Sequence, residues 1–260
     1  MLISEIIFIF YILAFLSGLI SFKKISLGLY FAGAGLNISF VVFNWIRFSA
    51  PPLYSMYNIL ILLGAFSFVG FIMMKLKIIN CSQNIFSITG AIPIGISFMF
   101  YESAITPLPP ALRSVWFIPH VASYMLGYCF AVMIFLKLLQ VILICKFKLH
   151  EIYQSPFFLS ENSKGYINMV LITLSFMAFG MFSGALWAEE VWGRYWSWDP
   201  KETWALVTII FYFIYYQLLK TEEIRGFAEI IHLFAFLSLL MTFFVVNILP
   251  KFEGSMHSYL

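Results

Sequence analysis

Apolar residues run along this chain in long blocks, and polar residues are confined to the short breaks between them. The blocks fall approximately at 3–21, 26–46, 57–75, 85–101, 117–145, 166–187, 203–220 and 228–249. Each is close to the roughly 20 residues that a helix needs to cross the hydrocarbon of a bilayer. In lipid every backbone N–H and C=O must bond within the protein, so each block predicts a helix. The fold class expected is an all-α polytopic membrane protein with about eight transmembrane helices. The fourth block carries Gly90, Pro93 and Gly95 and predicts a kink or a looser helix. The fifth carries Lys137, which must snorkel to the surface or pair inside the bundle. The opening Met1-Leu-Ile-Ser-Glu5 has neither a basic stretch nor a small-residue cleavage site, so the first block is expected to be a retained span.

Composition supports the same class. The chain has 260 residues, 62% of them hydrophobic and 10% charged, with a mean hydropathy of +0.95. A soluble domain carries about 25% charged residues. The net charge of +3 and the lack of any basic run exclude nucleic acid as a partner. Cys81, Cys129 and Cys145 form no Cys-x-x-Cys pair. That argues against a thiol-redox carrier and against a haem bound covalently to this chain.

The breaks carry an orientation signal. Lys23, Lys24, Lys75, Lys77, Lys146, Lys148, Lys164, Lys220 and Arg225 fall on one side, against Arg47, Arg113, Arg194, Lys201 and Lys251 on the other. The richer side is expected to be cytoplasmic or its equivalent. Both termini, the proline-rich break 102–116 and the break near residue 195 then face outward. The polar break 146–164 faces inward as a plain connector. Residues 1–111 are expected to supply four helices, and residues 112–260 four more together with the functional segment.

That segment is 187–204, which holds five of the seven tryptophans: Trp187, Trp192, Trp196, Trp198 and Trp204. Interfacial anchoring explains one or two such rings. It does not explain this density with Arg194, Tyr195 and Lys201 interleaved. Flat aromatic faces at a lipid–water boundary suit a flat, polarisable ligand, and the two cations suit ligand carboxylates. Haem meets both demands, whereas a quinone meets only the first. Asp199-Pro200-Lys201-Glu202 also reads as a capping box opening the seventh helix. Asp199 is therefore expected to be a cap before it is a catalytic acid.

Four histidines supply candidate iron ligands. His120 opens the fifth block on the outer side, and His257 lies in the tail on the same side. Together they flank the tryptophan segment and are candidate axial ligands. His232 lies inside the eighth block, toward the inner side, where an ionisable residue is a functional candidate by default. A histidine deep on one side and two at the opposite surface suggest a route for something that binds iron. His150 is given no role.

Residues 192–206, Trp-Gly-Arg-Tyr-Trp-Ser-Trp-Asp-Pro-Lys-Glu-Thr-Trp-Ala-Leu, resemble the WWD signature of haem-handling membrane proteins, and most closely that of the CcsA (ResC) family of system II cytochrome c biogenesis. Leu112 to Val121 resembles the region of that family's first external histidine, and Asn247 to Tyr259 its closing Asn…His-Ser-Tyr pattern. Glu190-Val191 and Glu253-Gly-Ser-Met256 depart from it. The resemblance implies a cytochrome c biogenesis protein with haem lyase activity, acting on haem b and on apocytochrome c with its Cys-x-x-Cys-His motif. It implies a CcsB/ResB-type membrane partner that supplies a second membrane histidine, and thiol-reducing proteins nearby. It implies a multi-pass protein of a bacterial inner membrane or a thylakoid, with the WWD segment outside. His120, His257 and His232 would be iron ligands, and Trp187, Trp192, Arg194, Tyr195, Trp196, Trp198, Asp199 and Lys201 would form the platform. Two alternatives stay open: a CcmC-like chaperone that presents haem without attaching it, and a non-catalytic assembly protein whose tryptophans only anchor it.

Overall fold

The computed structural model describes residues 2–49, 51–105, 110–144, 162–221 and 228–248. Eight helices among them are long and apolar enough to cross a membrane, and no strand occurs among the described residues. In chain order they are α1 (Leu2–Leu19), α2 (Lys23–Phe48), α3 (Met56–Ala65) with α4 (Ser67–Lys75), α5 (Gln83–Ser97), α6 (Phe117–Ile144), α7 (Asn162–Trp192), α8 (Pro200–Lys220) and α9 (Ala228–Leu240). The third crossing breaks at Phe66, so α3 and α4 share one span, Met56–Lys75. A wider turn at Met241–Val245 and a last helical turn, Val246–Ile248, extend α9.

The helices pair mainly with sequence neighbours: α1 with α2, α6 with α7 and α8 with α9, while α5 packs on α1 and α3. Contacts of α6 with α3 and α5 join the first half of the chain to the second. Close approach relies on glycine. A Cβ on Gly90 would lie 2.7 Å from the ring of Tyr11, and one on Gly64 would lie 3.0 Å from the Gly90 carbonyl oxygen. Small residues at such seams are the usual device for packing helices where lipid supplies no hydrophobic drive.

Polar side chains inside the bundle find partners across helices. Ser26 Oγ donates to the Ala14 carbonyl at 2.7 Å, and Tyr57 donates to Ser4 Oγ at 3.0 Å. Lys137 pairs within the bundle, as one of the two expectations held. Its ammonium donates to the Asn80 carbonyl and lies 5.7 Å from the centre of the Tyr166 ring.

Local detail adds to the sequence reading. The fourth span stays helical through Pro93, and its glycines serve packing, with Gly95 3.0 Å from Phe8 by the same Cβ test. Around the proline-rich break, Phe98–Ile105 and Pro110–Arg113 form short 3-10 turns, the first interrupted at Phe100. The sixth span runs on to Trp192, so the first part of the tryptophan segment is helix. The connector around His150 and the tail with His257 lie outside the described residues.

Candidate functional site

The loop Gly193–Asp199 joins α7 to α8 and is shaped by its chemistry. Gly193 takes a positive φ of 72° just past the end of α7, a position that glycine fills without steric cost. The capping box then opens α8. Asp199 accepts from the Lys201 amide at 2.8 Å. Glu202 Oε2 accepts from the Asp199 amide at 3.2 Å, the Ser197 amide at 2.9 Å and Ser197 Oγ at 3.2 Å. Asp199 is buried and committed to the cap, in line with the sequence reading. Trp198, between these anchored residues, has a φ of 58° and is 71% exposed. A tryptophan held in the left-handed region with its ring in the open is costly for stability, and such outliers gather at functional sites.

Below this loop opens a cavity with about 1110 Å³ of space free of protein atoms, its mouth included. Tyr195, Trp196 and Lys201 line it from the loop and α8; His120, Tyr124 and Tyr128 line it from α6. These last three follow one another at intervals of four, so a single helical face presents all of them. The wider turn in the last span brings Thr242, Phe243 and Asn247 to the wall. Turns of this type recur at functional sites.

His120 is oriented from three sides. Its Nδ1 lies 2.8 Å from the Gly180 carbonyl oxygen on α7. A carbonyl only accepts, so Nδ1 is the donor, and in the neutral form of the ring the lone pair is on Nε2. Metal-binding histidines are commonly held this way, with the second ring nitrogen donating to a carbonyl or carboxylate. The imidazole stacks on Trp187 at 5.5 Å and 25°, and meets Tyr124 edge-on at 5.3 Å and 82°. Trp187 is buried, packed between Phe117, His120 and Trp192, and it contributes to the cavity lining beside the histidine. Trp196 meets the exposed Trp198 edge-on at 5.8 Å.

Two polar ties join the elements around the cavity. Ser114 Oγ, on the turn leading to α6, donates to Glu190 Oε2 at 2.6 Å. Lys201 Nζ donates to Asn247 Oδ1 at 2.7 Å, and Asn247 in turn donates to the Phe243 carbonyl at 2.7 Å. Arg194 is exposed in the loop and is not among the residues that line the cavity. The cavity also takes a wall from the first half of the chain, Leu53, Tyr54, Met56 and Ile59. The sequence reading missed that wall, for a pair of prolines before Tyr54 marks a turn but no chemistry. Burial pushes the Tyr54 hydroxyl above its usual pKa, which keeps the phenol neutral.

His232 lies elsewhere, fully buried in α9. It stacks on Tyr215 at 4.9 Å and 26°, and meets Tyr212 at 5.8 Å and 68°. Among the described residues, neither ring nitrogen has a hydrogen-bond partner, and the Tyr212 hydroxyl beside it also has none. Buried polar atoms are nearly always paired, so such orphans fit a site completed by something bound.

These features define a class: a polytopic helical membrane protein with a histidine- and aromatic-walled cavity beneath a tryptophan loop, and a second histidine buried in the bundle. Residues 2–252 match the family described as Cytochrome C assembly protein, and the chain belongs to that family. The cytochrome c biogenesis protein CcsA of Nicotiana tomentosiformis is 33% identical over 259 residues, covering 84% of this chain and 80% of the relative. That of Solanum tuberosum is 33% identical over 261 residues with the same coverage. The Wolinella succinogenes protein NrfI is 32% identical over 188 residues, 68% of this chain and 20% of NrfI. The chain is a multi-pass membrane protein of cytochrome c biogenesis.

Proposed function

We propose that this protein is the haem-presenting subunit of a cytochrome c haem lyase, working with a CcsB/ResB-type membrane partner. Haem b is its substrate, and the second substrate is apocytochrome c with its Cys-x-x-Cys-His motif. The observation that carries the reading is His120. Its Nδ1–H donates to the Gly180 carbonyl, so Nε2 is the nitrogen that would ligate, and the residue lines a cavity together with Trp196 and Tyr195.

In this reading His120 and His257 hold the iron, and the loop rings grip the porphyrin with its vinyl edge toward the cavity mouth. Lys201 and Arg194 supply positive charge for the two propionates. The tryptophan loop and both outer histidines face the outer side of the membrane, as the distribution of Lys and Arg favours. Each thioether forms when a cysteine S–H adds across a vinyl C=C: the sulfur bonds one carbon, the proton goes to the other, and no oxidant is consumed. The protein contributes placement, which can remove a large share of a barrier when two reactants are held in register. The motif's own histidine then replaces one axial ligand and draws the product away. His232 serves an inner membrane site whose second ligand comes from the partner, consistent with its two unpartnered ring nitrogens.

The test is co-expression with the partner and a cytochrome c substrate, followed by purification and a visible spectrum. His120→Ala and His257→Ala are each expected to cut co-purified haem several-fold and to abolish maturation. Normal maturation in both single variants overturns the ligand assignment. Full haem binding without any attachment, with partner present, would reassign the protein as a haem chaperone. Absence of a Soret band from the wild type would leave only an assembly role.

A further inference from the structure

A metal-binding histidine is normally aimed by a hydrogen bond to its second ring nitrogen. His120 has such a bond; His232 has none among the described residues. Something else must set the plane of the His232 imidazole, and its surroundings are aromatic. Phe135 and Phe236 approach its ring at 6.4 Å and at steep tilts of 46° and 43°, and Tyr212 comes edge-on. The one nearly parallel face is that of Tyr215, at 4.9 Å and 26°.

Tyr215 is itself held from two directions. Its hydroxyl lies 3.3 Å from both carboxylate oxygens of Glu229. It also lies 2.5 Å from the Tyr166 hydroxyl. Glu229 sits three residues before His232, so both project from one face of α9. Tyr215 belongs to α8 and Tyr166 to α7. The Tyr215 ring is thus pinned to α7 through its hydroxyl, and to the very helix that carries the imidazole it stacks upon. All four side chains are buried.

We propose that Tyr215 is the positioning residue of the membrane histidine: its ring fixes the plane of the His232 imidazole, and the Glu229 and Tyr166 contacts fix the ring. This rests on His232 being a haem ligand as described above. The orientation of an axial imidazole is measurable. In low-spin ferric haem with two imidazole ligands, the largest g value in the electron paramagnetic resonance spectrum depends on the angle between the two ligand planes.

The experiment uses the full complex of this chain with its partner, purified with haem. Spectra are recorded for wild type, His232→Ala, Tyr215→Phe and Tyr215→Leu, with the His120-dependent signal as the internal control for folding. His232→Ala is expected to remove one low-spin signal. Tyr215→Leu is expected to shift the largest g value of that same signal, or to lose it while the control signal persists. Tyr215→Phe keeps the stacking face and is expected to restore the signal, with a smaller shift in the same direction. If His232→Ala removes a signal that both Tyr215 variants leave unmoved, the positioning role is overturned and the ligand assignment stands. If His232→Ala changes no signal, the ligand assignment itself is overturned. Should Tyr215→Leu fail to fold, Tyr215→Phe decides alone: an unmoved g value overturns the proposal.

Discussion

The imidazole of His120 occupies the space that a side chain at position 184 would need: a Cβ on Gly184 would lie 2.4 Å from His120 Nδ1 and 2.5 Å from Cε1. Gly180, one turn earlier, does the same for Tyr124, at 2.8 Å. Two bare positions on α7 therefore seat two successive rings on α6. Gly184→Ala must push the imidazole toward the cavity or break its bond to the Gly180 carbonyl. A misplacement of about 1 Å at a reacting centre can cost about 100-fold in rate. Gly184→Ala is expected to lower cytochrome c maturation by that order while the protein still inserts and purifies. Activity within twofold of wild type would show that the histidine has room to spare.

The Ser114–Glu190 bond joins the turn before α6 to the last turn of α7. A hydrogen bond to a charged group contributes roughly 1.5–3 kcal/mol when shielded from water, and less when half-exposed. Ser114→Ala is expected to cost about 1 kcal/mol, with Ser114→Ala and Glu190→Gln together costing less than the sum of the two. A double-mutant cycle on thermal unfolding in detergent checks this.

Asp199 is a cap, and the substitution series should say so. Asp199→Asn keeps an acceptor for the Lys201 amide and is expected to retain most stability and maturation. Asp199→Ala is expected to cost about 1 kcal/mol. Glu202→Ala, which orphans two amides and a hydroxyl, should cost more than Asp199→Ala. A maturation defect in Asp199→Asn equal to that of Asp199→Ala would instead favour a chemical role for the carboxylate.

Trp198 should separate stability from function. Left-handed backbone at a residue with a Cβ costs about 1 kcal/mol, which glycine does not incur. Trp198→Gly is therefore expected to leave thermal stability unchanged or slightly raised while co-purified haem falls. Loss of stability with full haem would mean that the ring is structural.

Cys81 sits in the turn between α4 and α5, where burial drives its thiol pKa up to about 12. The reactive thiolate is then scarce at pH 8, and only a pH near 12 would populate it. Alkylation of Cys81 in the folded protein is expected to be far slower than in denaturant, as followed by mass spectrometry.

Much of this architecture is legible from hydropathy, because lipid forces each apolar block into a helix with few alternatives. The Asp199–Glu202 cap was readable as well, since capping depends on residues three apart. His120 stood out in the sequence too, and in the structure it lines the cavity. What eluded the sequence depends on long-range approach. Nothing local says that Leu53 to Ile59 reaches the cavity, or that Trp187 is buried behind His120 instead of facing outward. The Gly180–His120 bond joins residues 60 positions apart. Nor does the local sequence say that Gly90 and Gly95 seat Tyr11 and Phe8 of α1.

The Lys201–Asn247 hydrogen bond has one more consequence. It fixes to the cavity rim the point from which the chain runs on to His257, ten residues later. Ten residues reach at most about 33–36 Å when extended. Under the proposed role, His257 is a ligand supplied by the same chain, so its availability does not depend on the amount of protein in the membrane. The histidine of an arriving apocytochrome must compete with this built-in ligand, and it gains the same intramolecular advantage only once its own cysteines have joined the haem. Attachment before exchange, and not the reverse, is the order that such a ligand favours.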